Sequence, residues 1–112
     1  MIDPDMQEIQ IDIEDARKAI RLGELVTRLE NEPDFIELIT EGYFRDDAAR
    51  VVMLKADKEF QTPEKQEKLD KDIMGISVFG DYLRTKKLLG IMAQNAMKEF
   101  EETKADLIKE NI

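Results

Sequence analysis

The stretch EGYFRDDAARVVMLKAD, residues 41–57, sets adjacent aspartates and two arginines beside an aromatic pair and an apolar run. Two carboxylates in an apolar setting are the raw material of general acid/base chemistry. Their spacing argues against that use. Neighbouring helical residues point about 100° apart, so Asp46 and Asp47 do not converge on one reacting atom. Glu41 and Arg45 stand four apart, as do Asp46 and Arg50, a surface spacing worth roughly 0.2–0.5 kcal/mol per pair. Phe44, Ala48, Val51 and Val52 share one helical face, with Leu54 at its edge. The segment reads as scaffold with a charged exterior.

Other chemistry is equally thin. The chain has no histidine and no cysteine. That removes disulfides, thiolate nucleophiles, His/Cys zinc sites and the commonest general base. GISVFG spaces two glycines five apart but lacks the Lys-Ser/Thr and flanking strand of a phosphate loop. Carboxylates inside helical bundles do bind metals, usually with added histidine. No catalytic residue, cofactor or metal is therefore expected, and an enzyme is the least supported class. Arg84, Lys86 and Lys87 beside Tyr82 form the one basic cluster, a weak anion contact. Met53, Met74, Met92 and Met97 lie on apolar stretches and read as core.

These side chains must sit on long helices. With 5 glycines and 3 prolines in 112 residues there is little turn material, and the size suits a single domain over residues 1–112. Asp3 can cap a first helix, with Pro4 at its first position and acidic residues complementing the dipole. Ile9, Ile13, Ala16 and Ile20 repeat at four, three and four, and Leu22, Leu25, Val26 and Leu29 continue the stripe. IQIDI also alternates as a half-buried strand does, but the downstream spacing favours helix. Ile11 then falls off the stripe, available to a partner. Asn31 and Pro33 open a short helix with Phe35, Ile36, Leu38 and Ile39 buried and Gly42 as a stop or kink. Thr62-Pro63-Glu64 starts another, with Leu69, Ile73, Ile76 and Leu83 buried, and Gly75 or Gly80 marks a bend or break. Beyond it, Tyr82, Leu89, Met92, Ala96, Phe100, Thr103 and Leu107 form a long stripe. Gly90, Ala93 and Ala96 would admit another helix closely.

The first and last helices, residues 3–30 and 81–111, would span ~42 and ~46 Å. Each carries one narrow stripe that is unstable in water unless packed. The expected fold is all-α: an antiparallel, coiled-coil-like hairpin stalk, with residues 31–80 as a small helical head. Charge gathers at the termini. Of the net -9, residues 1–16 supply -6 and residues 97–112 supply -2. Pairing the helices would bring Asp3, Asp5, Glu8 and Asp12 beside the acidic C-terminal turns. Such a charge argues against a nucleic-acid-binding face. No stretch resembles a signal peptide or reaches membrane-spanning length, so a soluble chain in a reducing interior, without membrane contact, is expected.

FIELITEGYFRDDAARVVMLKAD, followed by DIMGISVFGDYLRT and an acidic helical tail, resembles small helical proteins of tailed bacteriophages from the virion-structure and assembly genes. The resemblance covers about residues 22–100 and carries no catalytic set. It implies a non-enzymatic structural or assembly role, in the virion or host cytoplasm, through contact with a larger virion protein. Ile11, Gly90, Ala93 and Ala96 are the candidate contacts, and self-association into an oligomer fits the same picture. The alternative is an acidic regulator that mimics nucleic acid and blocks a basic target through Asp3, Asp5, Glu8 and Asp12. A third option is a chaperone holding unfolded partners between apolar stalk surfaces.

Overall fold

The computed structural model describes residues 3–110. The chain is all-α. Its elements are α1 (Pro4–Glu30), α2 (Pro33–Phe35), a π-helical stretch (Ile36–Asp47), α3 (Ala48–Ala56), a 3-10 turn (Lys58–Phe60) and α4 (Pro63–Glu110). Residues 9–13 are helical, inside α1. Position 111, counted into the expected stalk, lies outside the described residues. The chain divides into two compact units: residues to Thr27 with those from Thr85 on, and Arg28–Arg84.

Local chemistry sets the helix starts. The Asp5 N–H donates to Asp3 Oδ1 at 2.9 Å, and the Gln7 N–H reaches the Asp3 carbonyl at 3.0 Å. Asp3 thus satisfies donors that the first helical turn leaves open. At α4 the Gln66 N–H donates to the Thr62 carbonyl at 3.0 Å, and the Lys65 N–H faces Thr62 Oγ1 at 3.4 Å. Two glutamines close the other side of this turn. Gln61 Nε2 donates to the carbonyls of Lys55 and Asp57 at 2.9 and 2.7 Å. Gln66 Nε2 donates to those of Lys55 and Phe60 at 3.1 and 2.8 Å. Both amides answer the orphan carbonyl of Lys55 at the end of α3.

The first unit is an antiparallel helix pair. Along α1 the inward row is Met6, Ile9, Ile13, Ala16, Ile20, Gly23 and Val26, all buried or half-buried. Along α4 it is Lys86, Gly90, Ala93, Met97, Phe100, Lys104 and Leu107, also buried or half-buried. Steps of three and four alternate in both rows, with one exception at Val26, as in a coiled-coil seam. Gly23 faces Gly90: a Cβ built on Gly23 would lie 3.2 Å from the Gly90 Cα and 3.0 Å from the Lys86 carbonyl oxygen. Two glycines let the backbones touch there. The inward row of α4 is the predicted one at Phe100 and Leu107 and differs from it elsewhere. Tyr82, Leu89, Met92 and Thr103 are exposed, and the true row begins one residue later at Leu83 and Gly90.

The second unit is also a helical hairpin, turning through residues 57–62. Val51 is fully enclosed (0 % exposed), and Leu69 and Leu83 are buried on α4, with Ile73 and Ile76 half-buried. Phe44 stacks on Phe79 with ring centroids 5.5 Å apart, and Tyr43 meets Phe79 edge-on at 6.0 Å. The Lys55 ammonium pairs with Asp70 across the hairpin.

Three sequence expectations fail here for physical reasons. Gly42 is neither stop nor kink; it lies within the π-helical stretch. There each N–H bonds five residues back. A Cβ at Gly42 would lie 3.0 Å from the Glu37 carbonyl oxygen, so a residue without one suits this wider turn. The changed periodicity also exposes Leu38, and Val52 is 57 % exposed. Neither Gly75 nor Gly80 breaks α4. At Gly80 a Cβ would meet the Arg84 guanidinium at 3.3 Å and the Phe44 ring at an ordinary contact distance of 3.7 Å, and the packing of α4 on its neighbours offsets the lost propensity.

Candidate interaction surfaces

The paired aspartates are occupied separately. Arg45 Nε donates to Asp46 Oδ1 at 2.8 Å, and the Arg50 guanidinium bonds Asp47 at 3.0 Å. Neither matches the predicted pairs Glu41–Arg45 and Asp46–Arg50. The side-chain hydrogen bond from Arg45 holds the Asp46 carboxyl below its ordinary value and raises the guanidinium in turn. Both groups are exposed, so water screens the pair. Among the described residues no polar or charged side chain is buried, and no group of three or more carboxylates is placed to hold a metal. No helix among them is long and apolar enough to cross a membrane.

The candidate contact residues separate into two kinds. Ile11 is 57 % exposed on α1, as its place off the stripe predicts. Gly90, expected to receive a partner helix, is buried against Gly23 of its own chain. Ala93 lies half-buried on the same inward row, and Ala96 is half-buried at its edge. The close helix approach read from these small residues exists, but it is internal to the chain. Of the acidic candidates, Asp5 and Glu8 are exposed and Asp12 is half-buried. Asp5, Glu8, Ile9 and Asp12 border a shallow depression with Thr103 and Leu107 from α4. Asp3 is half-buried and serves as the cap of α1.

Three of the four methionines that the sequence assigned to the core are outside. Met53 (72 % exposed), Met74 and Met92 are exposed, and only Met97 of the four is partly covered. A two-helix pairing buries one stripe per helix, so any second apolar row stays in water. On α4, Met74 and Val78 in the second unit, and Leu88, Leu89, Ile91 and Met92 in the first, form such surface. The signal was present as excess hydrophobicity around the helix; its direction was not.

A second depression in the first unit is lined by Asp15, Lys18, Ala19, Leu22, Lys86 and Leu89. It carries both charge signs around an apolar floor. No family model, no curated protein and no solved structure matches the chain.

Proposed function

We propose that the protein is a non-enzymatic structural or assembly factor of a tailed bacteriophage, acting through protein–protein contacts with a larger virion component. One observation carries the contact-based part: the exposed apolar side chains of α4 within the first unit, namely Leu88, Leu89, Ile91 and Met92. Exposed apolar side chains clustered on one helix mark interaction sites, and methionine adapts to irregular partners. The phage assignment rests on the resemblance of residues 22–100. Purification of the tagged protein from infected cells tests the proposal. A virion protein held in stoichiometric amount supports it, and recovery without any phage structural protein refutes it.

The acidic face favours a second reading, an inhibitor that mimics nucleic acid. Asp5, Glu8 and Asp12 share one side of a depression, and no ion pair engages them among the described residues. Replacing Asp3, Asp5, Glu8, Asp12, Glu14 and Asp15 by neutral residues separates the two. Loss of partner capture supports mimicry; capture unchanged supports contact through α4.

A further inference from the structure

We propose that one side of the first unit, marked by Glu8, Asp12, Ala19, Leu22, Leu89 and Ala96, is a self-association surface on which a second copy of the chain packs antiparallel. The inference is independent of the bacteriophage assignment. Along α1, positions 8, 12, 15, 19 and 22 alternate in steps of four and three, so they run straight along one side of the helix. Two shallow depressions lie on this stripe, and a third, at Glu14, Arg17 and Arg21, lies off it: Asp5, Glu8 and Asp12 border the first, Ala19 and Leu22 the second. On α4 the matching residues Leu89, Ala96 and Thr103 stand seven apart.

Charge selects the occupant and its direction. The half of the unit formed by residues 1–16 and 97–112 carries -8. On the face itself the depression at Ala19 and Leu22 carries Lys18 and Lys86 against Asp15, a net +1, and the other carries the three carboxylates Asp5, Glu8 and Asp12. A parallel copy would set acidic half on acidic half. An antiparallel copy, with its two-fold axis near Ala16, sets acidic on basic twice over, and such an isologous contact closes on itself. Screening over about 8–10 Å leaves this complementarity effective only between touching faces, where it acts, and weakens the repulsion between whole molecules. Size agrees. A helix pair ~36 Å long and ~20 Å wide offers about 700 Å² per copy, near the ~800 Å² per partner of a standard interface. Ala19, Leu22 and Leu89 add apolar surface to the basic half of that face, around Lys18 and Lys86.

The test is the native mass of the full chain by sedimentation at low and high salt, with spin-label distances on single-cysteine variants of this cysteine-free protein. The expected result is a dimer of the 13.0 kDa chain that weakens as salt rises. Leu89→Glu, at a side chain already 42 % exposed, should keep its helicity by circular dichroism and raise the dimer dissociation constant at least ~30-fold. Lys18→Glu, at an exposed position, should weaken the dimer at low salt and have little effect at high salt. Labels on Asp5→Cys should lie about 33 Å apart along the helix axis, and those on Ala19→Cys about 9 Å. A chain that is monomeric at every concentration, or that pairs only with a different protein, overturns the proposal. So does a folded Leu89→Glu variant that dimerises like the parent, or Asp5→Cys labels within ~10 Å, the spacing of a parallel pair.

Discussion

Replacing Gly90 by alanine tests the internal helix contact directly, because two known effects oppose each other there. In a helix interior alanine is favoured over glycine by about 1 kcal/mol. At Gly75 nothing opposes that gain: the added Cβ would find only the Tyr43 hydroxyl, at 3.9 Å. At Gly90 the Cβ would lie 3.2 Å from the Ala19 carbonyl oxygen and 3.2 Å from the Gly23 Cα. Both neighbours are backbone and cannot rotate away. The helices must separate by a few tenths of an ångström, and overpacking of this kind costs about 1–3 kcal/mol. Gly90→Ala should therefore lose about 1 kcal/mol where Gly75→Ala gains about 1 kcal/mol. At a urea slope of ~2 kcal/mol/M the two midpoints should differ by ~1 M. Gly23→Ala should behave like Gly90→Ala. The double variant should cost more than both together, since the two methyls enter one gap. The measurement is urea unfolding followed by circular dichroism at one fixed protein concentration, because self-association would shift the midpoint. If Gly90→Ala stabilises as much as Gly75→Ala, the helices do not touch at these glycines and the seam is wrongly phased.

Adjacent valines provide a second test. Val51→Ala should cost about 2 kcal/mol and Val52→Ala less than ~0.5 kcal/mol, because only the first is enclosed. Equal losses in thermal or urea unfolding would contradict the placement of α3. Gln66→Leu removes two amide donations to backbone carbonyls at 2.8 and 3.1 Å and should destabilise by about 1–2 kcal/mol, whereas an unchanged midpoint would mean those bonds are not made in solution. Asp46, held below its ordinary value by the Arg45 hydrogen bond, contributes stability that is present above its unfolded pKa. That contribution is lost as pH falls through the lower folded value. An NMR titration should place Asp46 below a free aspartate, and Arg45→Met should return it upward; no difference between the two proteins would count against the pair.

Much of the local structure was legible in particular residues. Asp3-Pro4 and Thr62-Pro63 start helices through side-chain and backbone groups a few positions away, so no distant part of the chain has to be known. The stripe Ile9–Ile13–Ala16 and the row Leu69, Ile73, Ile76 and Leu83 were readable because each helix offers one dominant apolar face at those points. Ile11 could be placed outside for the same reason. The π-helical stretch was not readable. Spacing rules written for the α-helix assign Leu38 inward and pair Asp46 with Arg50, and both assignments fail in a wider turn.

α4 shows where sequence stops. From residue 82 to residue 97 it carries two apolar rows one position apart, Tyr82, Leu89 and Ala96 beside Leu83, Gly90 and Met97, and either could serve as a coiled-coil seam. Hydrophobicity alone does not choose between them, and the glycine at position 90 makes the second row look the weaker. The folded chain buries the second. Composition and periodicity were enough to determine an all-helical chain with its negative charge gathered at the termini, since propensity, capping and charge are properties of short segments. Which row faces inward depended on Gly23 lying opposite Gly90. Contact between backbones is a property of two helices at once, and only the tertiary structure brings those positions together.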